Sequence, residues 1–144
     1  MPHLCDVNLL LALCDEAHVH HPAARAWLES VEEPASVFLC RVTQLGLLRL
    51  LTNPALLGAR ACPVRRAWRV WDTLLSDERF AFQDEPPHLE KGLREFTRGF
   101  TFSPKLWQDA YLAAFAHAAG LRLVTFDRGF RKFKGLDCHI LPPS

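Results

Sequence analysis

Short apolar runs separated by helix-period segments constrain this chain more than any other feature. His3 to Val7, Ala35 to Cys40, Leu121 to Phe126 and Cys138 to Leu141 read as buried strands, with Phe80-Ala81-Phe82 a candidate fifth. Asn8 to Leu13 reads as the start of a helix. His21 to Val31 sets Ala23, Ala24, Trp27, Leu28 and Val31 on one helical face, and Pro22 suits the first turn, where its missing N–H costs nothing. Val42 to Leu51 is the next helix, which Asn53-Pro54 stops. Pro63 to Leu75 carries Trp68 and Trp71 at helical spacing, as core or partner-facing residues, and Pro86-Pro87 opens another helix ending near Gly99. Ser103-Pro104 predicts an N-cap with proline behind it. That helix runs to Ala119, with Trp107, Tyr111, Ala114, Phe115 and Ala118 on its apolar face and Gly120 as its stop. Strands alternating with helices predict an α/β fold, its central sheet mostly parallel and flanked by helices on both faces.

A parallel sheet binds ligands beyond the carboxyl ends of its strands. Asp6 ends the first strand, Asp127 follows the strand Leu121–Phe126, and Asp109 lies early in the helix that follows Ser103. Taken singly, Asp6 and Asp127 are ordinary caps, since aspartate suits helix starts. Taken together, three carboxylates on one rim repel one another unless a cation neutralises them. Oxygen donors with room for water suit Mg²⁺ or Mn²⁺. Such an ion polarises a phosphodiester and activates water. Arg128, Arg131 and Lys132, with Lys134 close by, follow Asp127 directly and are the candidates for holding a phosphate backbone.

The rest of the composition narrows the class. At 144 residues the chain suits one domain spanning residues 1–144. No run approaches the roughly 18 apolar residues of a membrane span, and the N-terminus lacks a basic-then-apolar leader, so a cytoplasmic location is expected. The five cysteines contain no C-x-x-C pair, which argues against a disulfide framework or a zinc ribbon. Cys5, Cys40 and Cys138 fall in apolar runs and read as small buried hydrophobes. His18, His20 and His21 lack a second ligand cluster and read as a polar helix entry. Arg49, on the helix that carries Gln44, reads as a salt-bridge residue.

At this point the motifs resemble a known family. Asp6-Val7-Asn8-Leu9-Leu10-Leu11-Ala12-Leu13 resembles the opening motif of PIN-domain proteins. Asp109-Ala110-Tyr111-Leu112-Ala113-Ala114, then Leu123-Val124-Thr125-Phe126-Asp127-Arg128-Gly129-Phe130, resembles their closing motifs. Between them, His18 to Trp27 and Thr43 to Pro54 resemble the VapC-type toxins, the ribonuclease half of bacterial toxin–antitoxin pairs. The resemblance covers essentially the whole chain in order. It implies a PIN-like three-layer sandwich and a metal-dependent endoribonuclease, restrained by a VapB-type antitoxin and commonly homodimeric. By the same resemblance Asp6, Asp109 and Asp127 are metal ligands, Asn8 and Thr125 support them, and Mg²⁺ or Mn²⁺ is the cofactor.

One departure stands out. Many family members place a glutamate where this chain has Gln44, within Thr43-Gln44-Leu45-Gly46. Glutamine keeps a carbonyl oxygen near the site but removes a charge, which implies a weaker metal site. It also keeps open a second reading, a PIN-like module that binds RNA or an antitoxin without turnover. A structural subunit with exposed tryptophans is a third reading. Haloacid dehalogenase-like phosphatases also begin with an aspartate after the first strand, but they need a second one where this chain has Asn8. No Ser-His-Asp set or Gly-rich phosphate loop is present.

Overall fold

The computed structural model describes residues 1–144. Five short strands, β1 (His3–Cys5), β2 (Val37–Leu39), β3 (Phe80–Phe82), β4 (Arg122–Thr125) and β5 (Cys138–Ile140), form one sheet in the order β3-β2-β1-β4-β5. Every pairing is parallel, with Leu4 opposite both Phe38 and Leu123. The helices are α1 (Val7–Cys14), α2 (His21–Glu29), α3 (Arg41–Leu51), α4 (Pro54–Leu57), α5 (Val64–Ser76), α6 (Leu89–Thr97) and α7 (Leu106–Ala119).

Side chains alternate across the sheet, and each face buries its own core. Cys5, Val37, Leu39 and Val124 join residues of α1, α2, α3 and α5, including Leu9, Trp27, Leu47 and Trp71. Leu4, Leu123 and Cys40 join α6 and α7 through Leu89, Leu112 and Phe115. The three layers expected from the sequence are present. β1 lies at the centre, with β2 and β3 added on one side and β4 and β5 on the other, so the direction of strand addition reverses between β1 and β4. That reversal opens a crevice at the carboxyl ends of these two strands, where open α/β sheets take their ligands.

Three local expectations change. Asn53-Pro54 does stop α3, but Asn53 then caps α4, its side chain accepting from Ala55 N–H at 3.0 Å. The helix expected from Pro86 begins at Leu89, because His88 adopts a left-handed conformation (φ 67°) that no helix can continue through. Ser103-Pro104 does not open α7 either. Ser103 closes a single turn, its carbonyl accepting from Leu106 N–H at 3.1 Å, and the helix starts at Leu106 without a side-chain cap from Ser103. Of the expected apolar face Ala114 and Phe115 are buried and Tyr111 is half-buried, whereas Trp107 and Ala118 are exposed, and Leu106, Asp109, Ala110, Leu112, Ala113 and Ala116 are buried besides.

Elsewhere Trp71 is buried against Phe82, while Trp68 is exposed. Cys5 and Cys40 are buried as expected, whereas Cys138 is only partly so. The histidines pin α2 in place: His21 Nδ1 lies 2.7 Å from the Ala12 carbonyl, and His20 stacks on Phe126.

The position of α1 depends on Gly46 of α3. A Cβ there would stand 2.8 Å from Val7 Cγ2, closer than a β-branched side chain can relieve by rotation. Gly46→Ala is therefore expected to destabilise by about 1–2 kcal/mol in a denaturant melt, overpacking outweighing the helix propensity gained. Combined with Val7→Ala it should cost less than the sum of the two single changes.

Candidate active site

Asp6 is the first residue after β1 and caps α1, with Oδ1 accepting from Val7 N–H at 2.7 Å. Its other oxygen accepts from the Thr125 hydroxyl at 2.7 Å, and that hydroxyl accepts in turn from Asp127 N–H at 2.9 Å. One fully buried side chain thus joins the ends of β1 and β4. Asp127 caps the 3-10 turn Arg128–Lys132, its Oδ1 accepting from Gly129 N–H at 2.7 Å. Both capping roles anticipated for single aspartates are real, and neither uses up the carboxylate.

Asp109 reaches the same crevice from the first turn of α7. It is 8% exposed and has no hydrogen bond or ion pair to its side chain, and Asp6 and Asp127 lack ion pairs as well. Burial, followed by the charges of Asp6 and Asp127, pushes the Asp109 carboxyl up to about 6. Burial also raises Asp6, against the hydrogen bonds from Thr125 and Val7. Sequence separation therefore ends in electrostatic proximity: Asp109 feels both Asp6 and Asp127, and Asp6 feels Asp127.

Asp6, Asn8 and Asp109 line a pocket of about 260 Å³ together with Arg49, Lys105 and Gln108. Lys105 eases the charge on both Asp6 and Asp109. It was not singled out in the sequence, although its spacing four residues before Asp109 was a usable signal. Arg49 makes no salt bridge, contrary to expectation, and stands in the wall of the pocket that Asp6 and Asp109 also line.

Gln44 does not line this pocket. It is buried, and its side-chain carbonyl accepts from the Arg41 guanidinium, which lies over the Phe82 ring. Among the basic candidates, Lys132 is near enough to lower Asp109, whereas Arg131 lines a separate hollow beside β5 and Arg128 is exposed without an ion pair.

The donor chemistry fits a hard divalent cation, since the acids offer oxygen atoms and make no direct ion pair with the protein. No three His, Cys, Asp or Glu side chains form a closed ligand set, so the fit is one of chemistry and charge.

A three-layer α/β sandwich with unpaired carboxylates at its strand reversal belongs to the PIN-like class. Residues 4–136 match the PIN-domain family model, and the chain is a member of that family. It is similar to ribonuclease VapC41 of Mycobacterium tuberculosis, with 44% identity over 142 residues, 96% of this chain and 97% of the relative. Two solved structures share the fold. M. tuberculosis VapC20, a sarcin-ricin loop cleaving toxin, matches with a TM-score of 0.69 at 19% identity, over 97% of this chain and 99% of its own. VapBC2 from Rickettsia felis, solved bound to a DNA fragment from its promoter, also reaches 0.69, at 14% identity over 99% and 100%.

A carboxyl raised in the fold binds its proton more tightly folded than unfolded. The destabilisation by Asp109 is therefore full above pH about 6 and fades as pH falls toward 3.8. Asp109→Asn should raise the melting temperature of the metal-free protein at pH 7.5 by roughly 3 °C. The gain should shrink toward pH 4, and an equal gain at both pH values would show that charge is not its source.

Proposed function

We propose that the chain is a metal-dependent endoribonuclease, the toxin of a VapBC-type pair, acting through Asp6, Asp109 and Asp127. The observation that carries this reading is the trio of carboxylates without counter-ions at the β1–β4 crevice. The likeness to ribonuclease VapC41 over nearly the full length supports RNA as the substrate. The fold shared with a VapBC assembly supports a VapB-type antitoxin as the restraining partner. Residues 1–144 act as one domain, homodimeric and cytoplasmic in this reading; no helix is long and apolar enough to cross a membrane.

Asp6, Asp109 and Asp127 would hold Mg²⁺ or Mn²⁺. Bound there, the ion supplies Lewis-acid contact to a phosphate oxygen and lowers the pKa of a coordinated water. The chain's own groups do the remainder. Thr125 fixes one Asp6 oxygen and the Asp127 backbone together, so two ligands keep one spacing. Lys105 and Arg49, cationic and in the pocket wall, hold the substrate phosphate where the acids alone would repel it. Asn8 offers an amide beside Asp6, and Lys132 contributes charge from the 3-10 turn.

Asp127→Asn should cut RNA cleavage roughly 100-fold or more, the scale of losing one electrostatic stabiliser, with an unchanged circular dichroism spectrum. Isothermal titration with Mg²⁺ and Mn²⁺ should show binding to the wild type that the variant loses. Absence of binding by the wild type with RNA present would favour the non-catalytic module that Gln44 suggests.

At limiting Mg²⁺, cleavage should fall as pH drops through about 6, where Asp109 takes up its proton. Saturating Mg²⁺ should move that midpoint lower, because the cation competes with the proton. A midpoint insensitive to Mg²⁺ would place the titrating group elsewhere.

A further inference from the structure

Phe126 stands between Thr125, which joins the two strand ends, and Asp127, one of the three acids. A residue in that place sets the backbone geometry on which the bond from Asp127 N–H to the Thr125 hydroxyl depends. Phe126 is half-buried and packs against the core shared by α1, α2, α3 and α5. The imidazole of His20 stacks on its ring, with centroids 4.8 Å apart and planes 26° from parallel. Offset stacking of this kind is a favoured arrangement for two flat rings.

Hydrogen bonds hold the imidazole in position. His20 Nδ1 accepts from Ser144 N–H at 3.3 Å, and the His20 backbone N–H donates to His18 Nδ1 at 3.0 Å. The Ser144 hydroxyl accepts from Ala23 N–H at 3.0 Å, giving α2 the side-chain cap that His20 does not supply. His21 ties the same helix start to the last turn of α1 through the Ala12 carbonyl. Just before Phe126, the Thr125 carbonyl accepts from Leu141 N–H at 2.8 Å. The backbone leading into Phe126 is therefore held by Leu141, and its ring by His20. A metal ligand works only within about 0.5 Å of its productive position. Rotation of the Phe126 backbone would break the Asp127–Thr125 bond and carry the Asp127 carboxylate away from Asp6 and Asp109.

We propose that His20 is a positioning residue of the acid site: its ring clamps Phe126 and thereby holds Asp127 at its spacing from the other two acids. This rests on the reading of those acids as metal ligands and deepens it. His20 itself touches neither metal nor substrate, so its effect runs through Asp127.

The first test needs neither metal nor RNA. Hydrogen exchange of the metal-free full chain, followed by NMR, should show the Asp127 amide exchanging roughly tenfold faster in His20→Ala. The Leu123 amide, bonded to the Asp137 carbonyl, should keep its rate. Titration with Mn²⁺ should show affinity roughly tenfold weaker, the low end of what losing a group behind a metal ligand costs. At saturating Mg²⁺, kcat for RNA should fall by about the same factor, with KM little changed. In an Asp127→Ala background, His20→Ala should cost nothing further, because the acid it positions is gone. His20→Gln, which keeps an acceptor without a ring, should behave as His20→Ala does. His20→Phe, which keeps a flat ring, should restore exchange, affinity and rate. Ser144→Ala should lower the melting temperature and leave all three at wild-type values.

An Asp127 amide and a Mn²⁺ affinity unchanged in His20→Ala would overturn the proposal. Equal losses in His20→Phe would overturn it too, by assigning the effect to the bond from Ser144. Equal losses in Ser144→Ala would assign it to the stability of α2, with the same result. If no RNA is cut but the Asp127 amide speeds up in His20→Ala and recovers in His20→Phe, the clamp stands and the ribonuclease reading fails alone. If Mn²⁺ binds and RNA is cut while that amide is indifferent to His20, only the clamp is wrong.

Discussion

Carboxylates gathered without direct ion pairs are the constraint on which the local architecture depends. A buried anion near two others is a standing cost to folding, which the raised Asp109 carboxyl records. The chain offsets it by geometry. Asp6 and Asp127 each spend one oxygen on the start of a helical turn, where N–H groups and the peptide dipoles favour negative charge. Thr125 gives Asp6 a hydrogen bond and takes one from Asp127, so the two strand ends cannot drift apart under repulsion. Asp109 has no such support. It is the acid through which the strain of the site is most visible.

Much of this was legible in the sequence. The apolar runs located all five strands to within a few residues, because strands buried on both faces leave a continuous signal. Asp6 and Asp127 were placed at the rim by nothing more than their positions after strands. The misses share a cause. Ser103-Pro104 carries a valid helix-start signature, yet chain geometry spends it on an isolated turn, and the helix begins at Leu106. Trp107 shares the expected apolar face with Ala114 and Phe115, which are buried, yet it stands exposed near the helix start, and its exposure is invisible to any rule that equates large aromatics with core. Arg49 and Lys105 were undervalued because a cation's partners are tertiary neighbours, which local spacing does not reveal.

Gln44 shows a different limit. By resemblance it stands where an acid is usual, and its carbonyl remained a plausible ligand. Arg41 occupies that carbonyl and itself rests on Phe82, forming a small polar assembly away from the pocket wall. The loss of a negative charge at this position therefore comes with a cation already committed to the amide. Substitution and partner have to be read together, and a single sequence presents them as unrelated residues on one helix.

The central strand is also the first of the five to be synthesised. Thr125 and Asp6, whose side chains bond across the crevice, lie 119 residues apart in the chain. On a ribosome, β1 emerges with no neighbour on the side that β4 will occupy, and α1 is capped long before Asp127 exists. The acid set can assemble only after Asp127 has left the exit tunnel. Such long-range closure is slow compared with local helix formation. A chain that stops short of Asp127 therefore lacks the assembled crevice, whatever the state of its first helices.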